Sequence, residues 1–250
     1  MNHFYRALVT AFLFLTRIPM PHLENLDDQD SGRAFALFPL VGLVLGVILT
    51  TSALFLQGHL PHDVIAGLMV LLWILLTGGL HLDGLGDSAD GWLAGGNLER
   101  TLEIMKDPRS GSAAVIMISA SLLIKFSALS HLIAEQQWWA LVLAPMVARA
   151  LSLSLFLTTP YISPKGIASQ FLQHSNRLHL RISVAATILI ALIMLEFQTA
   201  FWAVGLSLLL FLGLRQLMIR RLGGATGDTS GALIEIVELA FLIGCLVFTG

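Results

Sequence analysis

A single cysteine, Cys245, in 250 residues excludes a disulfide framework and argues against a zinc–thiolate centre. Charge is scarce as well. Only 12% of the residues are Asp, Glu, Lys or Arg, about half the roughly 25% of a soluble domain, so most of the surface faces something other than water. The basic residues form neither a tail nor a patch, and the formal net charge is −2. Nothing in that distribution is suited to nucleic acid. Internal repeats, low-complexity tracts and interdomain linkers are also missing, so one membrane-embedded domain over residues 1–250 is the simplest organisation.

What the chain does have is apolar length. Hydrophobic residues make up 56% and the mean hydropathy is +0.82. Stretches of about 17–25 predominantly apolar residues predict spans at Ala34–Gln57, Val64–Leu82, Ala113–Ala134, Ala140–Thr158, Ile182–Phe197, Ala200–Leu214 and Thr229–Phe248. The expected fold is therefore all-α, a polytopic bundle of about seven transmembrane helices. The opening stretch Met1–Met20 holds Arg6 and Arg17 and ends in Pro19 and Pro21. No small-residue cleavage site follows it, so it is expected to be an interfacial or re-entrant helix.

The 14 Lys and Arg divide cleanly on this map. Arg6, Arg17 and Arg33 precede the first span, and Arg100, Lys106 and Arg109 lie between the second and third. Lys165, Arg177 and Arg181 lie between the fourth and fifth, and Arg215, Arg220 and Arg221 between the sixth and seventh. The alternate turns hold none, and only Lys125 and Arg149 fall inside spans. The positive-inside bias then places the N-terminus and the three longer loops in the cytoplasm.

The first of those loops carries the chemistry. It opens with Gly-Gly-Leu-His81-Leu-Asp83-Gly-Leu-Gly-Asp87-Ser-Ala-Asp90-Gly91. Carboxylates at i, i+4 and i+7 project within about 60° of one another on a helix. Glu99, Glu103 and Asp107 follow at i, i+4 and i+8, with Pro108 as a stop. Two acidic-faced helices joined by the Gly-rich turn 91–96 would oppose six carboxylates across a gap. Such a cluster is unfavourable unless cations sit in it or some groups protonate. Oxygen ligands without Cys suit a hard divalent ion, Mg²⁺ or alternatively Mn²⁺, of the kind that serves phosphoryl transfer. For Glu99 and Glu103 a plainer role is open, as helix pairs with Lys106 and Arg100. Asp83, Asp87 and Asp90 have no such partners nearby in sequence.

A second candidate region, Gly223-Gly-Ala-Thr-Gly-Asp228-Thr-Ser-Gly231, opens the last span. Its glycines near a helix start can offer backbone N–H groups to a phosphate; alternatively Asp228 is an N-cap. Glu235 and Glu238 lie within that span, where ionised groups are expensive. Lys125 and Arg149 are expected to pair with them or with substrate anions.

These motifs resemble the cobalamin synthase family, the adenosylcobinamide-GDP ribazoletransferases of the bacterial inner membrane. The likeness rests on the Gly-Gly-Leu-His81 to Gly91 run, Leu-Glu103-Ile-Met-Lys-Asp107-Pro-Arg109-Ser-Gly, Phe-Leu-Thr16-Arg17-Ile-Pro19, Phe-Pro39-Leu-Val-Gly42 and the Gly223–Gly231 segment. The resemblance implies attack by a ribose hydroxyl of α-ribazole, or of its 5′-phosphate, on the cobinamide-side phosphorus of adenosylcobinamide-GDP. GMP leaves and adenosylcobalamin or its 5′-phosphate forms, with Mg²⁺ required. A fainter likeness to CDP-alcohol phosphotransferases matches Asp87-Ser-Ala-Asp90-Gly91 and Glu103-Ile-Met-Lys-Asp107 to their two carboxylate motifs. The Ala-Arg after the first motif is replaced here by Trp92-Leu93.

By these resemblances Asp83, Asp87, Asp90, Glu103 and Asp107 are the expected metal ligands. Asp107 and Asp90 are the expected catalytic groups, with Asp107 as base. His81, Arg109, Arg149 and Asp228 are expected on the substrate side. The partners implied are the two substrates and membrane lipid, with self-association left open. The implied location is multi-pass in the inner membrane, with the site facing the cytoplasm. The competing assignments are a phospholipid-forming CDP-alcohol phosphotransferase and a divalent-cation transporter. A transporter would place its carboxylates near mid-span.

Overall fold

A computed structural model of the protein describes residues 3–21, 23, 28–163 and 166–247. It is all-α, with no strand longer than an isolated bridge among the described residues. The helices in chain order are α1 (His3–Leu15), α2 (Asp28–Ala36), α3 (Phe38–Leu56), α4 (His62–Thr77), α5 (Leu80–Leu93), α6 (Leu98–Ile104), α7 (Ser112–Ala134), α8 (Trp138–Thr158), α9 (Ile167–Gln173), α10 (Arg177–Met194), α11 (Phe197–Leu222) and α12 (Gly227–Leu246). Six of them, α3, α7, α8, α10, α11 and α12, are long and apolar enough to cross a membrane, and α4 with α5 brings the number to seven. Lys165 of the charge map and Phe248, the last residue of the seventh predicted span, lie outside the described residues.

The second span ends earlier than the hydropathy suggests. Gly78 and Gly79 both take positive φ (66° and 71°), a conformation nearly closed to other residues, and α5 leaves α4 at 90°. Arg17 lies over this corner: its backbone N–H donates to Leu76 O at 2.7 Å, and its side chain occupies the space a Gly78 Cβ would need. The sequence that looks like one span running into a loop is thus a crossing helix plus a second helix laid across its end. Two other boundaries move outward. The fifth span begins at Arg177, where Asn176 caps it through Leu178 N–H at 2.8 Å. The sixth runs on to Leu222 and stops at Gly223, with φ +74°. Arginine is a good helix former, and its charge suits a helix C-terminus. A hydropathy window therefore stops short of where this helix does. The opening segment is a helix of 13 residues, about 20 Å at 1.5 Å per residue, too short to cross a core about 30 Å thick.

Helices α8 and α12 form the centre, 89% and 83% buried against 17% for α10. Close backbone approach makes this packing possible, as expected where lipid leaves no hydrophobic drive between helices. Gly42 and Gly46 of α3 lie against the backbone of Pro145 and Val142 in α8, and Gly244 of α12 against Ala203 in α11.

Candidate active site

The organising element is α5, on which glycines and aspartates have separate tasks. A Cβ on Gly84 would meet the Asp228 backbone of α12, one on Gly86 would meet Ala114 and Ile118 of α7, and one on Gly91 would meet Met105 and Thr101 beside α6. Three glycines thus admit three neighbouring elements to close contact. At 100° per residue, the stripe of Asp83, Asp87 and Asp90 falls between the face against α7 and the face against α12. The aspartates therefore line the groove that the glycines bring together.

From the other wall comes Asp228. Thr226, not Asp228, is the N-cap of α12: its hydroxyl accepts from Thr229 N–H at 3.2 Å, and Thr229 Oγ1 accepts from Thr226 N–H at 2.9 Å. Asp228 is left in the first turn with its carboxylate at the groove, within electrostatic reach of Asp83 and Lys106. The Gly223–Ser230 loop is less of an anion cradle than its glycines suggest. The amides of Gly223, Ala225, Thr226, Thr229 and Ser230 are all engaged within the protein.

The electrostatic centre of this groove is Asp87. Burial, then the charges of Asp83, Asp228 and Asp90, push its carboxyl up to about 6. Crowded anionic oxygens with no salt bridge among the described residues are the donor chemistry of a hard divalent ion. Among the described residues no three His, Cys, Asp or Glu side chains converge closely enough to hold one ion by themselves. That is compatible with Mg²⁺, which commonly keeps its waters and takes one or two carboxylates plus substrate phosphates. Asp90 is otherwise occupied: its two oxygens accept from Gly111 N–H at 2.6 Å and Ala114 N–H at 2.9 Å, the N-terminus of α7.

The second predicted carboxylate stripe does not form. Helix α6 ends at Ile104 and tightens into turns, with Lys106 N–H on Glu103 O and Asp107 N–H on Ile104 O. Asp107 therefore leaves the helical face it was expected to share with Glu99 and Glu103. Glu103 pairs with Arg100 at 2.7 Å on the open surface. Asp107 is gripped by Arg109 through Nε at 3.0 Å and Nη2 at 2.7 Å, which holds its carboxyl down to about 2. Asp107 and Arg109 instead border a separate surface cleft with Asp90, Ser110 and Gly111.

Beside the Asp83–Asp228 groove opens a chamber of about 240 Å³. Phe14, Phe35, Phe38, Phe156 and Phe171 form much of its wall, and Asp83, Asp228, His81 and the Ser152–Ser230 hydroxyl pair give it polar points. His81 is 3% exposed. Arg149 Nη2 lies 3.5 Å from its Nδ1; a guanidinium only donates, so Nδ1 accepts and Nε2 carries the proton. No described residue hydrogen-bonds that Nε2. Arg149 itself is fully buried and bonded to Glu238 at 2.7 Å and to Pro145 O at 2.9 Å. Lys125 closes the network on Glu235 at 2.7 Å and Glu238 at 2.9 Å, with its ammonium 4.4 Å from the Trp73 ring centroid. Two cations and two anions thus join α7, α8 and α12 beneath the site. Of the two roles expected for Lys125 and Arg149, the structure shows the pairing with Glu235 and Glu238. Arg149, fully buried on Glu238, does not line the chamber as a substrate ligand.

With the geometry in place, the relatives are informative. The sequence model of the cobalamin-5-phosphate synthase family matches residues 7–246. The chain belongs to this family. It is 46% identical to the adenosylcobinamide-GDP ribazoletransferase of Pseudomonas fluorescens strain Pf-5, over 95% of this chain and 98% of the relative. It is 46% identical to that of Stutzerimonas stutzeri A1501, over 97% and 98%. With that of Pseudomonas putida W619 it shares 44%, over 96% and 98%. No solved structure matches the chain.

Within this member of the cobalamin-5-phosphate synthase family, the motif residues divide after folding. Asp83, Asp87 and Asp228 meet at one groove, His81 lies in the wall of the adjoining chamber, Asp90 serves α7, and Glu103, Asp107 and Arg109 lie on an outer rim. The aromatic chamber was not foreseen. Its phenylalanines come from α1, α2, α3, α8 and α9 and share no local spacing, so no window on the sequence groups them.

Proposed function

We propose that the protein transfers the adenosylcobinamide phosphate group from adenosylcobinamide-GDP to α-ribazole or its 5′-phosphate, at the cytoplasmic face of the bacterial inner membrane. The observation that carries this is the junction of two unlike features: the anionic groove of Asp83, Asp87 and Asp228, and the aromatic chamber on which Asp83 and Asp228 also border. A phosphotransferase needs charge neutralisation beside a seat for its acceptor. Relatives over nearly the full chain carry the transferase name. A transporter is disfavoured because these carboxylates lie at the helix bend and the start of α12, while the mid-bundle Glu235 and Glu238 are already neutralised.

In the reaction an oxygen of the nucleoside ribose forms a bond to the cobinamide-side phosphorus. The bond from that phosphorus to the bridging oxygen breaks, and GMP departs with its electrons. Asp83 borders both chamber and groove, which supports a role in accepting the hydroxyl proton. Asp107 is poorly suited to that task, because Arg109 keeps it a weak base. Asp87 and Asp228 would hold the divalent cation, and Asp90 would hold α7 in place. Bound there, Mg²⁺ would neutralise pyrophosphate charge. Arg109, exposed on the rim, would pair with phosphate oxygens of the nucleotide half.

The deciding experiment is turnover by purified protein given adenosylcobinamide-GDP, α-ribazole and Mg²⁺, read as release of GMP. Absence of product under these conditions, with turnover of a CDP-alcohol substrate instead, would reassign the chain.

A further inference from the structure

We infer that the chamber beside Asp83 and Asp228 is the seat of the acceptor's aromatic base, and that His81 Nε2–H donates to that base's ring nitrogen. This rests on the transferase reading above and says which part of which substrate the chamber takes. Volume comes first. At about 240 Å³ the chamber lies below the roughly 300–1,000 Å³ of pockets that enclose drug-sized ligands, so it suits one bicyclic ring system and neither a corrinoid nor a whole nucleotide.

Wall chemistry then chooses between the bases. The rings are already arranged as aromatic neighbours: Phe14 and Phe38 lie stacked at 5.6 Å between centroids, and Phe35 and Phe38 edge-on at 4.9 Å. Such walls accept another flat ring by stacking or edge contact. Guanine brings donors and acceptors around most of its edge, and phenylalanine walls would leave them unpaired, which is costly. A benzimidazole-type base is largely apolar and, once joined to its ribose, has a single ring-nitrogen acceptor. A donor without a partner sits in the chamber wall: His81 lines the cavity, and its Nε2–H is buried with no hydrogen-bond partner among the described residues. Arg149, held on Glu238, fixes the tautomer by donating to Nδ1. A base so seated points its sugar toward Asp83 and Asp228, the carboxylates that share the chamber and the groove.

Steady-state kinetics on the full-length protein in detergent or nanodiscs test this. Ala168, in the chamber wall and 8% exposed, provides the plug. Ala168→Phe is expected to raise KM for α-ribazole at least tenfold while KM for adenosylcobinamide-GDP stays within twofold. A rise confined to the GDP substrate would overturn the assignment, as would competition by guanosine against α-ribazole on the wild-type protein. Should Ala168→Phe fail to fold, the acceptor is changed instead. A riboside whose ring nitrogen is replaced by C–H is expected to show about a tenfold higher KM with wild-type protein, and an unchanged KM would remove the His81 contact. Failure of the wild-type protein to turn over α-ribazole at all would instead strike the transferase reading, which separates the two failures.

Discussion

Asp90 caps a helix to which it does not belong: from α5 its carboxylate accepts from Gly111 N–H and Ala114 N–H, 2.6 Å and 2.9 Å away, at the start of α7. An anion at a helix N-terminus meets both unsatisfied amides and the positive end of the dipole. The position of α7 against the active-site groove is thus fixed by a residue within the groove's own motif.

A cap of this kind is worth about 0.5–2 kcal/mol. Asp90→Ala is therefore expected to lower the melting temperature of the purified protein and to reduce turnover with it. Asp87→Asn should lower turnover at a fixed, limiting Mg²⁺ concentration without lowering the melting temperature. Scanning fluorimetry on both variants beside the GMP-release assay decides the matter; equal melting temperatures would show that the cap contributes nothing.

The roles assigned to the groove predict different metal responses. Asp87→Asn and Asp228→Asn should each shift the Mg²⁺ concentration for half-maximal rate upward by tenfold or more, because an amide is a poor ligand for a hard cation. Asp83→Asn should cut the maximal rate by about 10²-fold or more, the usual range for a lost general base, with the Mg²⁺ midpoint unchanged. If all three variants give the same metal titration, Asp83 belongs with the ligands and is no base.

Much of this was legible in the sequence, and the exceptions share a physical origin. Composition and charge placement gave the spans to within a few residues, because the bilayer sets their length. The cluster on α5 was visible as a spacing of four and three residues within a helix. What sequence could not show was the 90° turn at Gly78 and Gly79, since a pair of glycines is compatible with a continued helix and with a corner alike. Nor could it show that Asp107 lies beyond α6, because the i+8 position looks helical until turns after Ile104 end the helix. Asp228, the fourth member of the groove, was expected as an N-cap or on the substrate side, with nothing in the sequence to set it beside Asp83. Its place beside Asp83 depends on the absence of a side chain at Gly84, a long-range fact. The basic residues read as topology markers also serve as local anchors: Arg215 donates to Thr158 O at 2.6 Å and Arg221 to Trp92 O at 2.7 Å, at or next to the last residues of α8 and α5.

The raised proton affinity of Asp87 has a consequence for stability. Its folded value of about 6 exceeds the usual 3.8, so the folded state binds the proton more tightly than the unfolded chain. The linkage slope is then negative between these values. With respect to this group, metal-free protein should be most stable below the ordinary value of 3.8 and lose that contribution as pH rises from there through about 6. Mg²⁺ should offset the loss above that pH. Melting curves in EDTA and in Mg²⁺ at pH 5 and pH 7.5 test it: the metal-dependent gain should be larger at pH 7.5, and an equal gain at both would refute the charge-crowding account.

Arg109 stands 87% exposed on the rim, bidentate on Asp107. Its planar fork matches phosphate oxygens as well as a carboxylate, and lysine does not reproduce that geometry. Arg109→Lys is expected to raise KM for adenosylcobinamide-GDP roughly tenfold and to leave KM for α-ribazole unchanged. A parallel rise in both constants would show that Arg109 acts through the local fold rather than on the nucleotide half.

The last prediction concerns which side of the membrane holds the groove. Twelve of the fourteen basic residues were assigned to one side of the span map, and the turn after α5 lies on that side. Because α5 bends across the end of α4 by 90°, the carboxylates follow the loop to that face rather than entering the mid-bundle. A cysteine probe must be exposed, which excludes Ser88, buried at 1%, and favours Ala94, which is exposed at the end of α5. The native Cys245 is buried at 1% and is replaced by serine to remove background. Ala94→Cys in spheroplasts should resist a membrane-impermeant maleimide added outside and react with it once the cells are broken. Labelling from outside would invert the topology. A polyanionic substrate assembled in the cytoplasm would then have no access to Asp83, Asp87 and Asp228, and the transferase assignment would lose its physical basis together with the orientation.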